Sequence, residues 1–395
     1  MRIELDADQQ AFRSDLRARF QEIIAPHMEE LRREQRVNLE GGGPTFRKIL
    51  KELGREGLLG VGWPVQYGGQ GRGPIEQYIF TEEVQRTGFP LPFLTLNTVG
   101  PTLMRFGNDA QREDFLPRIL RGECLFAIGY SEAEAGTDLA SLKTRAERDG
   151  DEWIINGAKM WTSLADHADY VWLAARSDPQ APKHRGISMF LVPTTADGFK
   201  CTPITTIGGV RTNATFYEDV RVPAENLIGG ENNGWSLITG QLNHERVSLS
   251  NYAPMESLLA EVVEWARETK LGDGSRVIDR PWVRANLARI HAKVEVLRLL
   301  NFKLAWSAQH ENLHPAQASA AKVFGSEFYV EAYRAMLECF GPLGAVQGES
   351  AGAILRGRVE SSYRNTLILT FGGGTNEVQR DIIAMTALGL PHYKS

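Results

Sequence analysis

Apolar residues return every three or four positions near the start of the chain, at Phe12, Leu16, Phe20 and Ile23 and again at Phe46, Ile49, Leu50 and Leu53. Each set falls on one face of a helix. The stretch 60–73, GVGWPVQYGGQGRG, interrupts that rhythm with Gly and Pro and reads as loop. Helical patterning resumes over 81–88 and 109–123. From Cys124 to Ile228 the period changes. YVWLAAR (170–176), GISMFLV (186–192) and ATFYEDVRV (214–222) are rich in β-branched and aromatic residues and predict strands. Asn156-Gly157, between two β-prone runs in EWIINGAKMWTS, predicts a hairpin turn. From Gly234 the helical period returns, with a long stretch from Asp279 to about His310 that begins near a favourably placed Pro281. The order α, β, α predicts an α+β fold with an N-terminal helical domain (1–122), a middle β-domain (123–231) and a C-terminal helical domain (232–395).

Composition narrows the class. A chain of 395 residues, 42% hydrophobic and 24% charged, has ample core for two or three domains. A net charge of −5 argues against nucleic acid as a partner, because phosphate binding needs a basic surface. No apolar run approaches the roughly 20 residues that span a bilayer, and the N-terminus lacks a signal-peptide core, so a cytoplasmic location is expected. Cys124, Cys201 and Cys339 are too few and too scattered for a disulfide framework or a metal site.

One carboxylate stands out. In GWSLITGQLNHERVSLSN, residues Trp235, Ile238, Leu242, Glu245 and Leu249 share one helical face. A Glu among Trp, Ile and Leu loses hydration, which disfavours its charged form and makes it a stronger base. An ion-paired, inert Glu245 is the alternative on the helix alone.

Three further segments carry the chemistry: AIGYSEAEAGTDL (127–139), a strand ending in a small-residue turn; NGAKMWTS (156–163); and TFGGGTNEVQR (370–380), a Gly-rich turn leading into a last helix. In this order and spacing, across nearly the whole chain, they resemble the acyl-CoA dehydrogenase family. The resemblance implies FAD as cofactor, at the junction of the β-domain and the C-terminal helices. It implies that Tyr130 and Ser131 meet the flavin ring, joined by Trp161, Thr162 and Ser163, and that Thr375 and Glu377 meet the cofactor from the last Gly-rich turn. Gly136 and Thr137 match a turn near the acyl-CoA. The residues agree with such a site, since a flavin needs an apolar wall and backbone donors for its edge.

Most of the family carries its catalytic Glu two residues before the Thr of that last turn, where this chain has Gly373. A minority, resembling isovaleryl-CoA dehydrogenase, place it on the first helix of the C-terminal domain, and Glu245 falls there. The implied reaction removes the α-proton to Glu245 while the β-hydrogen leaves as hydride to the flavin. The Gly373 N–H and a ribityl hydroxyl of FAD would stabilise the thioester oxygen, and Arg246 would contact CoA.

Two departures bear on assembly. The family's Arg-x-x-Phe-Gly stretch is absent from WARETKLGDGSRVIDRPW (265–282), and Glu338 stands where Gln is common. A carboxylate beside a pyrophosphate is repulsive unless paired. The closer resemblance is to the heteromeric acyl-CoA dehydrogenases of bacterial steroid side-chain degradation. It implies a steroid-derived or other bulky acyl group, and a second acyl-CoA dehydrogenase-like subunit in a heterotetramer, with a homotetramer as the alternative. An electron-transfer flavoprotein is the implied acceptor. A non-catalytic partner subunit, and a flavin oxidase or monooxygenase on the same fold, remain the competing readings.

Overall fold

The computed structural model describes residues 4–240, 251–310, 313–348 and 350–391. Six helices come first: α1 (Ala7–Ile23), α2 (Met28–Gln35), α3 (Pro44–Arg55), α4 (Pro74–Thr87), α5 (Gly100–Phe106) and α6 (Asp109–Leu120). Asp6 starts α1 as a capping box with Gln9, and the periodic residues Phe12, Leu16 and Phe20 are buried. In α3, all four of Phe46, Ile49, Leu50 and Leu53 are buried. The Gly-rich 60–73 stretch is loop except for the end of one single-turn helix, Leu58–Gly60, and another at Val65–Tyr67. A π-helical stretch, Leu94–Val99, leads directly into α5.

The middle of the chain forms one eight-stranded sheet: β1 (Phe126–Gly129), β2 (Arg145–Asp149), β3 (Glu152–Lys159), β4 (Tyr170–Arg176), β5 (Ile187–Pro193), β6 (Phe199–Thr205), β7 (Arg211–Pro223) and β8 (Leu227–Ile228). The strand order is β6-β7-β3-β2-β4-β5-β8, and β1 lies parallel to β4. A single residue pair, Arg145 with Arg176, joins β2 to β4, so the sheet bends there. Its two halves face each other around Trp153, Ile155, Val171, Leu173, Phe190 and Tyr217. The alternate residues of β4 and β5, among them Trp172, Ala174, Met189 and Leu191, pack into the core of the N-terminal helices. Burial on both faces is why these two strands read as unbroken apolar runs.

After the sheet, α7 (residues 234–240 as described) buries Leu237 and Ile238. Glu245 and Arg246 lie outside the described residues. A second helical core follows, built by α8 (Ala253–Glu268), α9 (Pro281–His310), α10 (Pro315–Phe340) and α11 (Arg358–Thr366), and α12 (Asn376–Ala387) lies against α10. The long periodic stretch begins at the expected Pro281 and ends at His310. No helix among the described residues is long and apolar enough to cross a membrane.

The expected hairpin at Asn156-Gly157 is not a turn. The chain runs straight through it as β3, and the reversal falls at Gly150, between β2 and β3. Asn156 and Gly157 instead make a bulge against β7, where the register shifts between Ile155 and Gly157. The Asn156 side chain donates to the Asp219 carboxylate (2.9 Å) and accepts the Asp219 N–H (3.0 Å). A bulge and a tight turn both favour Asn-Gly, so the dipeptide alone does not separate them. Gly157 has φ +149°, and a Cβ there would lie 2.6–2.8 Å from Thr144. Gly157→Ala should therefore cost about 1–3 kcal/mol by overpacking. Denaturant unfolding checks this, with a loss below about 0.5 kcal/mol counting against a close-packed bulge.

Candidate active site

Two of the three sequence segments meet at one end of the sheet. Past β1, Tyr130 is buried and its hydroxyl accepts from Trp172 Nε1 (3.2 Å). The Ser131 carbonyl accepts the Met160 N–H at 2.8 Å, which sets Ser131 beside the Trp161–Ser163 turn. Trp161 has φ +63° and is 56% exposed. A bulky aromatic held in the left-handed region with its ring in the open is strained and unburied, as at sites that receive a ligand. Thr162 is fully buried, with its N–H on the Asn213 carbonyl (2.8 Å) and its hydroxyl 3.3 Å from that of Thr215. Its carbonyl accepts from the Asn213 side chain (3.1 Å), so both its side chain and its backbone are taken up inside the fold. The Ser163 hydroxyl lies 3.3 Å from that of Thr212.

An ion pair absent from the sequence reading ties these segments together. Lys159, the last residue of β3, is fully buried and donates to the Tyr130 carbonyl (3.0 Å) and the Glu132 carboxylate (2.8 Å). Glu132 also accepts the Lys143 and Thr144 N–H groups, at 2.7 and 2.8 Å. One carboxylate thus closes the base of the 133–142 loop that carries Gly136 and Thr137. Both of those are exposed, and a Cβ on Gly136 would meet nothing. Burial by itself would raise the Glu132 pKa. The Lys159 charge and hydrogen bond, with the two backbone donors, outweigh burial and hold it below the usual range. For Lys159 burial wins, and its pKa falls to about 8 against the opposing pull of Glu132. The partners differ because Glu132 has two extra donors while Lys159 is wholly desolvated. A charge inside the β-prone run EWIINGAKMW was the available sequence signal.

The third segment stands on the C-terminal helices. Thr375 caps α12 by accepting the Val378 N–H (3.2 Å), and Glu377 is exposed in the first turn. Gly373 and Gly374 have φ +66° and +92°, a turn that suits only glycine. Lys322 of α10, also buried, donates to the Gly374 carbonyl (2.9 Å) and the Asn376 side chain (2.8 Å). Its sequence signal was a polar stripe, Ser319, Lys322 and Ser326, among small apolar residues. Within the described residues this turn makes no hydrogen bond with the other two segments. Its link to the sheet runs through α11, where Arg364 bonds the Ile207 carbonyl and Asn365 that of Gly208.

The residues that depart from the family pattern are on the surface. Arg276 pairs with Asp279 and Arg280 with Asp273, so two of the three arginines of the 265–282 stretch are occupied locally. Glu338 is exposed and accepts from Asn286 (3.3 Å), with no cationic partner among the described residues.

Comparison with known proteins follows the same segments. Models of the acyl-CoA dehydrogenase N-terminal, middle and C-terminal domains match residues 6–123, 127–220 and 232–388. The chain is 53% identical over 400 residues, 99% of either chain, to acyl-CoA dehydrogenase FadE26 of Mycobacterium tuberculosis. It resembles the crystal structure of the ChsE4-ChsE5 complex of that organism with a TM-score of 0.91 and 53% identity, each chain covered in full. It also resembles the Tcur3481-Tcur3483 steroid ACAD, with a TM-score of 0.92, 47% identity and full coverage of both chains.

The pair at Glu132 carries a pH signature. Its folded pKa lies below the ordinary 4.5, so its contribution is complete above that pH and is lost as pH falls through the lowered value. Glu132→Gln, which leaves Lys159 buried without its carboxylate, should cost about 3 kcal/mol at pH 7. The gap from wild type should narrow below pH ~4.5. Thermal unfolding at several pH values tests this, and a gap that stays constant down to pH ~3 would exclude an ionised Glu132 as its source.

Proposed function

The chain belongs to the acyl-CoA dehydrogenase family, and on that premise we propose that it uses FAD to introduce an α,β double bond into an acyl-CoA thioester. The acyl group is steroid-derived or otherwise bulky, and the setting is lipid or sterol catabolism. The observation that carries the flavin reading is a set of unused backbone donors. The N–H groups of Ser131, Gly373, Gly374 and Thr375 have no acceptor within the chain among the described residues. Polar backbone left without a partner calls for a ligand or solvent at those positions. The Ser131, Gly374 and Thr375 donors and the exposed Trp161 ring fit the polar edge and apolar face of a flavin, and the Gly373 N–H is left for the substrate.

Bound there, FAD supplies the acceptor for the β-hydride. The protein's own work is proton removal and charge stabilisation. Glu245 takes the α-proton, and Arg246 contacts CoA. The Gly373 N–H receives the thioester oxygen as negative charge gathers on it, a role that needs only backbone and so survives a glycine at this position. The steroid-type acyl group is supported by the likeness to the Tcur3481-Tcur3483 steroid ACAD.

The same reading makes the enzyme one half of a heterotetramer that passes electrons to an electron-transfer flavoprotein. Both solved relatives are complexes of two different chains by name. The locally occupied Arg276 and Arg280, and the exposed Glu338, leave this chain poorly equipped to hold a pyrophosphate at that face. Helix α9 also exposes Trp282, Val296, Leu299 and Trp306 along one stripe, an apolar face of the kind that subunits cover.

Glu245→Gln should lower turnover about 10²–10⁴-fold while FAD content stays the same. The assay is a panel of acyl-CoA thioesters, including steroid-derived ones, with an artificial electron acceptor; activity within a few-fold of wild type would sink the assignment.

Expressed alone, the chain should hold less than one FAD per subunit, and its partner should raise both flavin content and melting temperature. A homotetramer carrying one FAD per chain would refute the heteromer and leave the chemistry standing.

A further inference from the structure

The described residues contain two buried lysines, Lys159 at 0% and Lys322 at 1% exposure. They lie on different elements, β3 and α10, in different cores, yet they do the same thing. Lys159 donates to the carbonyl of Tyr130 (3.0 Å) and Lys322 to the carbonyl of Gly374 (2.9 Å). Each of those carbonyls shares a peptide plane with the N–H of the next residue, Ser131 in one case and Thr375 in the other. Neither N–H has an acceptor within the chain among the described residues. Both belong to segments that the flavoprotein reading sets against the cofactor.

In a trans peptide the C=O and N–H point in opposite directions in one rigid plane. A group that grips the oxygen from inside the protein therefore aims the hydrogen outward. An ammonium does this more strongly than a neutral donor, since charge-assisted bonds are about twice as strong as neutral ones. By drawing density toward the oxygen it also makes the N–H a better donor, as bonds in a chain polarise one another. Burying a lysine is costly, and each is compensated by a second partner, the Glu132 carboxylate at 2.8 Å or the Asn376 side chain at 2.8 Å. Those second partners keep the ammonium in place; the carbonyl contact gives it direction.

We propose that Lys159 and Lys322 are a matched pair of positioning residues, each fixing the peptide whose free N–H, at Ser131 or Thr375, is presented to the cofactor. The inference rests on the flavoprotein reading and adds how two separate domains hold their donors at fixed angles.

The test uses the assembled protein with its partner, loaded by adding FAD. Two measurements are made on Lys159→Met and Lys322→Met: the rate at which FAD leaves after dilution, followed by free-flavin fluorescence, and amide hydrogen exchange in FAD-free protein over peptides containing Ser131 and Thr375. Each Met variant should release FAD about tenfold faster, as when a charged hydrogen bond is lost. Each should also speed exchange in its own segment and leave the other segment unchanged. Lys159→Gln and Lys322→Gln, which keep a neutral donor, should fall between Met and wild type, and they decide the matter if the Met variants do not fold. Wild-type release from the Gln variants, or faster release with no change in local exchange, would overturn the positioning role. If wild-type protein takes up no FAD, the flavoprotein reading itself fails and this inference with it. If wild type holds FAD and the variants hold it equally well, only the inference fails.

Discussion

Burial of β4 and β5 on both faces is the constraint on which the rest of the molecule depends. One face packs into the bent sheet through Val171, Leu173 and Phe190, and the other into the N-terminal helices through Trp172, Met189 and Leu191. Each large side chain so buried stabilises by roughly 1.5–3 kcal/mol, so the two strands hold helices and sheet together. A strand that is apolar on both sides has no polar face to fix its register. Here polar contacts at its two ends supply that information. Trp172 Nε1 donates to the Tyr130 hydroxyl, and Arg176 donates to the Ala140 and Leu142 carbonyls at 2.6 and 3.2 Å. A slip of one residue would lose both anchors, and with them the position of the 130–142 segment.

The segments of the candidate site inherit that placement. Tyr130 leads into Ser131, and Glu132 gathers Lys159, Lys143 and Thr144 onto one carboxylate. Loops ordinarily vary and move, and function concentrates where a rigid frame holds them. In this protein the frame enters the loop as buried charge, which is sensitive to the loss of either partner. The C-terminal turn uses the same device with different residues, Lys322 and Asn376 in place of Lys159 and Glu132.

A second ionic cluster joins the first and last helical regions. Glu82 and Glu83 of α4 are buried and pair with Arg13, Arg17 and Arg86, while Tyr252 donates to Glu82. Arg86 reaches on to Glu256 in α8. Tyr252 also follows directly on the segment that contains Glu245. Its N–H is held by Asn301 (3.1 Å), and the preceding carbonyl, of Asn251, by the Tyr329 hydroxyl. The chain leaving the proposed base is therefore anchored to three helices before α8 begins.

Local sequence was sufficient for element type and order. The helical period in α1, α3 and α9 and the apolar runs of β4 and β5 announce themselves because each repeats a pattern its own backbone imposes. The family likeness was legible as well, since Tyr130-Ser131, Trp161-Thr162-Ser163 and the Gly372–Thr375 turn are short, contiguous and distinctive. Asn156-Gly157 marks where that legibility ended. The dipeptide fits a turn or a bulge equally, and Asp219, sixty-three residues away, decides for the bulge. The lysines were hidden for the same reason. A lysine is ordinarily an exposed residue, and only the meeting of the end of β3 with the Tyr130–Glu132 segment, and the packing of α10 on α12, turn Lys159 and Lys322 inward to a carbonyl. Sequence determined which residues could meet a cofactor. Tertiary structure alone decided which of their carbonyls are gripped by a buried lysine, because that depends on partners brought from far along the chain.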